Sequence, residues 1–96
     1  MPEDYDILIK NASIVDGTGA PAYRGALAVK GDRVAALGKV EGDLKADAET
    51  IIDGEGLVAS PGFIDVHNHG DLSILYYPEA ESFVRQGITT FVGGQC

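Results

Sequence analysis

Residues 60–70, SPGFIDVHNHG, decide the fold: an apolar run ends in His67 and His69, the only two histidines of the chain. Phe63, Ile64 and Val66 leave neither face of an extended segment plainly polar, the pattern of a parallel strand covered on both sides. A strand is therefore expected over residues 62–69. Side chains at i and i+2 of a strand leave one face about 6.5 to 7 Å apart at Cα. From that spacing two imidazoles can converge on one zinc ion with bonds of about 2.0 to 2.1 Å. On the same pattern Asn68 points to the other face. Asp65, on the histidine parity, turns toward the sheet interior as a hydrogen-bonded carboxylate.

Working downstream, residues 76–87, YYPEAESFVRQG, carry concordant helix signals. Pro78 suits a helix start, Glu79 and Glu81 suit the positive N-terminal end, and Ala80, Phe83 and Val84 make an i, i+3, i+4 apolar stripe. Arg85 falls in the last turn and Gly87 at the cap beyond it. Residues 88–96, ITTFVGGQC, then read as a second buried strand. Strand, helix, strand is the βαβ unit, with parallel strands and a right-handed connection. Cys96, the single cysteine, follows Val92 closely and lies at the C-terminal rim with the histidines, where α/β sheets place their sites. A thiolate is a soft ligand matched to zinc. Spacing leaves the bland readings open: a His-x-His pair can be incidental, and a lone cysteine at a strand end is commonly a small buried hydrophobe.

Upstream the chain reads as strands alone. Residues 5–10 and 12–15 form two short strands, with Ile7 and Ile9 on one parity and a break at residues 11–13. Residues 17–25 are a glycine-rich loop. Residues 26–29 and 34–37 form a hairpin around Lys30-Gly31-Asp32-Arg33, where Gly31 takes the φ > 0 conformation of a tight turn. Residues 41–50 are a polar connector or a single helical turn, and residues 50–62 a strand, a glycine turn and a brief return. The GTG of the early loop lacks the following helix that a phosphate cradle requires. Asp53 and Asp71, each beside a glycine, read as surface or turn residues.

Composition narrows the functional classes. A formal charge of −8 and a pI near 4.4 repel polyanions, so neither nucleic acid nor an anionic membrane surface is an expected partner. No apolar run reaches the ~18 to 20 residues of a bilayer span, and the opening MPEDYD is acidic where a signal peptide is basic. One cysteine permits no internal disulfide, which points to the cytoplasm.

VASPGFIDVHNHGDL, residues 58–72, resembles the first-strand signature of the amidohydrolase superfamily. The segments DILIKNASIVDGTG, GALAVKGDRVAALG and IIDGEGLVASPG look like that superfamily's N-terminal β-sandwich. RQGITTFVGGQC, residues 85–96, is similar to the N-acyl-D-amino-acid deacylase, or D-aminoacylase, branch. The resemblance implies an α/β fold with an N-terminal β-sandwich: residues 1–60 as part of the small sandwich, and residues 61–96 as the first β-α-β unit of a truncated TIM-barrel catalytic domain. It also implies Zn²⁺ as cofactor, with His67 and His69 at the more weakly occupied metal position and Cys96 as thiolate ligand of the tight zinc. Gly70 stands where many members carry a polar residue.

The activity so implied is zinc-dependent hydrolysis of a small-molecule N-acyl-D-amino acid to a carboxylate and a D-amino acid. Its general-base aspartate and later histidines are expected beyond Cys96, so no catalytic residue is assigned within residues 1–96, which alone are expected to be inactive. Two barrel strands leave open edges, and the expectation is a fragment of a longer chain, or a domain-swapped or edge-associated oligomer. Two alternatives stand: a dihydroorotase- or hydantoinase-like cyclic amide hydrolase, which usually depends on a carboxylated lysine, and a small non-catalytic β domain.

Overall fold

The computed structural model describes residues 5–38 and 48–94. Most of the expected connector at 41–50, and Cys96, lie outside the described residues. The chain divides into two units, Met1–Pro61 and Gly62–Cys96.

The first unit is organised around β1 (Tyr5–Ile14), which lies between β2 (Tyr23–Lys30) on one side and β4 (Ala48–Asp53) and β5 (Val58–Ala59) on the other, with β3 (Arg33–Gly38) outside β2. Where two strands were expected at residues 5–15, one continuous strand forms. The break is a bulge: Ile9 pairs with Leu27 and Ala12 with Gly25, so Lys10 and Asn11 together oppose Ala26. Asn11 makes this possible by taking the left-handed conformation, φ 62°, which asparagine tolerates better than most residues.

The bulge reverses which residues of β1 face which side. Leu8 stands opposite Ala28, whereas Ile14 stands opposite Tyr23. Residues directly opposite share a face, so these two even-numbered residues fall on opposite faces of the sheet. Leu8 is buried with Ala26, Ala28 and Ala48, against which Tyr5 and Ala36 pack. Ile14 lines a separate apolar cleft with Leu27, Val34 and Leu37. Ile7 and Ile9, the expected apolar pair, are only half-buried.

The hairpin forms as the sequence predicts. Lys30 pairs with Arg33 across Gly31-Asp32, and Gly31 has φ 62°. Asp6 fastens the turn: its Oδ2 accepts the Gly31 N–H at 2.6 Å, and its Oδ1 lies 3.8 Å from Lys30 Nζ. The expected return after β4 is different. β4 and β5 both run parallel to β1, so the chain jogs sideways at residues 54–57 and continues in one direction. The jog faces the bulge, with Gly54 N donating to Lys10 O at 2.7 Å and Ser13 N to Leu57 O at 3.0 Å.

In the second unit β6 (Phe63–Asp65) pairs in parallel with β7 (Ile88–Phe91), separated in sequence by α1 (Gly70–Ser73) and α2 (Glu81–Val84). The expected β-α-β order and parallel pairing are present, but the elements are shorter. β6 stops at Asp65 because the Asp65 carboxylate accepts the His67 N–H at 3.1 Å and turns the backbone out of extended form. The helix expected from Pro78 begins at Glu81, after Ala80 in the left-handed region with φ 48°. It ends at Val84, earlier than expected, with Arg85 as its C-cap and not in its last turn; Gly87, φ 83°, closes the following turn by donating its N–H to Val84 O at 3.0 Å. Expected burial on both faces does not hold among the described residues, where Phe63 is 58% and Ile64 65% exposed. Phe83 and Phe91 stack at 5.1 Å between centroids and join α2 to β7.

Candidate metal centre

Two of the groups that the sequence marks out lie just past the C-terminal end of β6. His67 and His69 follow β6 directly, both exposed. They are not neighbours on one strand face, as the i, i+2 argument supposed, since the strand ends before them. His67 lies in the turn held by Asp65, and His69 occupies the N-cap of α1 with φ −106°.

The turn between them is built by Asn68. Its Nδ2 donates to Asp65 O at 3.3 Å, and its Oδ1 accepts the Gly70 N–H at 2.8 Å. This is an Asx turn, in which an asparagine side chain imitates a backbone turn, and it fixes the backbone on both sides of each histidine. Gly70 is buried beneath it, and a Cβ there would lie 2.9 Å from Asn68 Oδ1 and from the Phe83 ring. The departure from a polar residue at 70 thus has a packing reason. Asp65 is a half-buried turn-forming carboxylate, not the core carboxylate expected.

Sequence reasoning missed Asp71. Its Oδ1 accepts the Leu72 N–H at 3.0 Å, and its Oδ2 reaches across to the Gly94 N–H at 3.1 Å. It therefore ties the segment after β6 to the segment after β7. A Cβ on Gly93 would lie 2.7 Å from Asp71 Cβ, so only glycine lets the two segments approach this closely. The signal available in the sequence was the glycine pair that follows β7.

Among the described residues no group of three or more His, Cys, Asp or Glu side chains is arranged to hold a metal ion. The third expected ligand, Cys96, lies outside them, two residues beyond Gly94. As chemistry, two imidazoles and one thiol form a donor set that suits zinc. A surface cleft of about 440 Å³ in the same unit is lined by Ser73, Tyr77, Glu79 and Phe83 among others, and neither histidine borders it.

Known proteins resemble the chain end to end. No family model matches it. The N-acyl-D-aspartate deacylase of Alcaligenes xylosoxydans xylosoxydans is 45% identical over 95 residues, which are 99% of this chain and 18% of that protein. The crystal structure of N-acyl-D-glutamate deacylase from Bordetella bronchiseptica, complexed with zinc and a phosphonate inhibitor, superposes with a TM-score of 0.88 at 41% identity, over 98% of this chain and 19% of that one. The L-hydantoinase of Arthrobacter aurescens is less similar, with a TM-score of 0.70 and 29% identity over 91% of this chain and 20% of that one.

In fold and sequence the chain is similar to part of the amidohydrolases. Within them its homologues at 38 to 45% identity, matched over essentially its whole length, are the N-acyl-D-amino-acid deacylases. The chain spans about a fifth of the length of these relatives. No helix of the described residues is long and apolar enough to cross a membrane.

Proposed function

We propose that the chain contributes part of the metal site of a zinc-dependent hydrolase that cleaves the amide bond of N-acyl-D-amino acids. Residues 1–60 are assigned to a small β-sandwich and residues 61–96 to the first β-α-β unit of a TIM barrel. The observation that carries the reading is the placement of His67 and His69 at the C-terminal end of β6, beside the C-terminal end of its parallel partner β7. It is supported by the likeness to a deacylase crystallised with zinc.

His67, His69 and Cys96 are the residues of this chain that would hold metal, the histidines at the more weakly occupied position and Cys96 at the tight zinc. When bound, zinc supplies Lewis-acid activation of water and of an amide carbonyl. The residues of this chain prepare that site: Asp65 and Asn68 set the backbone on either side of the histidines, and both histidine residues are exposed. No proton-transfer group is assigned within residues 1–96. The lower likeness to the hydantoinase and the presence of Cys96 favour linear amides over cyclic ones.

The test is hydrolysis of N-acetyl-D-aspartate, N-acetyl-D-glutamate and their L enantiomers by the protein carrying residues 1–96, followed by chiral chromatography, with a hydantoin as the cyclic competitor. Release of the free D-amino acid, abolished by a chelator and restored by zinc, is expected. Ring opening of the hydantoin with no D-amino acid released would overturn the reading in favour of a cyclic amide hydrolase.

A further inference from the structure

We infer that the cleft formed by residues 73–83 receives the acyl group of the substrate, an inference that deepens the deacylase reading above and rests on it. The cleft, of about 440 Å³, has the size of a small-molecule pocket. Ile74, Tyr77, Ala80 and Phe83 give it an apolar and aromatic lining, Glu79 and Glu81 supply its charge, and no lysine or arginine is among the described residues that line it. Arg85, 3.9 Å from Glu81, offsets one of the carboxylates from an exposed position. An N-acyl-D-amino acid carries a carboxylate at one end and an acyl group at the other. Like charge repels the carboxylate end from this cleft, so charge complementarity selects the uncharged acyl end as its occupant.

The position of the cleft relative to His69 follows from the backbone. His69 is the N-cap of α1, and Ser73, the last residue of α1, borders the cleft. The two therefore stand one helical turn apart, about 6 Å along the axis. Phe83 provides a second tie: its ring stacks on Phe91 at 5.1 Å and lies where a Cβ on Gly70, the residue after His69, would meet it at 2.9 Å. The wall is also prefolded. Ile74 N donates to Gly70 O at 2.9 Å, Tyr77 N to Ser73 O at 2.8 Å, Ala80 N to Tyr77 O at 3.0 Å and Phe83 N to Ala80 O at 3.0 Å. This run of closed turns holds the apolar side chains around the opening, so an acyl chain that extends from an amide near His69 meets apolar surface within one turn.

The experiment measures kcat/KM of the protein carrying residues 1–96 for N-acetyl-, N-butyryl-, N-hexanoyl- and N-succinyl-D-glutamate. From acetyl to hexanoyl it should rise by up to about 4-fold per added methylene as the chain is buried. Succinyl, which has a carboxylate where butyryl has its methyl, should fall about 5-fold or more below butyryl. The Glu79→Gln, Glu81→Gln double variant should narrow that gap. Ser82→Trp adds bulk to the cleft from an exposed position and should erase the gain from acetyl to hexanoyl, and Tyr77→Ala, which removes part of the wall, should reduce it. The hexanoyl-to-acetyl ratio is the readout, because misfolding lowers both values alike. With N-acetyl-D-glutamate still hydrolysed, a flat acyl series, a wild-type ratio in both Ser82→Trp and Tyr77→Ala, or an unchanged succinyl gap in the double variant would overturn the acyl subsite alone. Release of no D-amino acid from any of these substrates would overturn the deacylase reading, and this inference with it.

Discussion

The side-chain amide of Asn11 donates to Asp53 Oδ1 at 3.4 Å, across the point where β1 exchanges one parallel partner for another. The same oxygen accepts the Glu55 N–H at 3.1 Å. One carboxylate therefore secures the bulge in β1 and starts the jog from β4 to β5. Asn11 serves this junction twice, through its amide and through its left-handed backbone.

Replacing Asn11 separates those two contributions. Alanine at a left-handed position costs roughly 1–2 kcal/mol, so Asn11→Ala is expected to lower stability by about that amount, and Asn11→Gly by clearly less because glycine keeps the backbone. Denaturant unfolding of both variants checks this. Equal losses would mean that the amide, and not the φ angle, dominates.

Asp53 gives the junction a pH dependence. The Glu55 N–H holds its carboxyl below the usual carboxylate range, assisted by the Asn11 amide and the nearby charges of Lys10 and Arg24, with slight desolvation opposing. A lowered folded-state value contributes stability above the unfolded-state pKa of about 3.9, and that stability is lost as pH falls through the folded value. Asp53→Asn should therefore be less stable than wild type at neutral pH, with the gap closing below about pH 4. Denaturation curves at pH 7 and pH 3 measure the gap, and a gap that is unchanged at low pH would contradict the linkage.

Core placement on β1 is tested by two neighbouring truncations. Leu8 is 1% exposed and among the largest fully buried side chains described, so Leu8→Ala should cost about 2–5 kcal/mol. Ile7, half-buried on the other face, should cost clearly less on the same truncation. A larger loss at Ile7 in thermal or denaturant unfolding would mean that the apolar face had been assigned to the wrong side.

That pair also shows how far the sequence could be read. The hairpin at Gly31 and the parallel pairing of β6 with β7 were legible, because a tight turn and a βαβ order each follow from local residue types. The face of β1 was not. Period-2 patterning assumes unbroken alternation, and the bulge at Asn11 moves Ile14 to the face opposite Leu8. Likewise His-x-His suggested a strand through residue 69, but the side chains of Asp65 and Asn68 bind nearby backbone groups and end β6 early. Asp71 was read as a surface or turn residue because its partner, Gly94, is distant in sequence and becomes its neighbour only once the strands pair.

Zinc affinity measured by chelator competition in the wild-type protein, in Cys96→Ser and in a His67→Ala, His69→Ala double variant addresses the central claim most directly. Tight zinc binding that is lost in Cys96→Ser and weakened in the histidine pair is the result that the metal-site account predicts. Zinc bound equally in all three proteins would show that these side chains hold no metal, leaving residues 1–96 as a β domain whose histidines are structural.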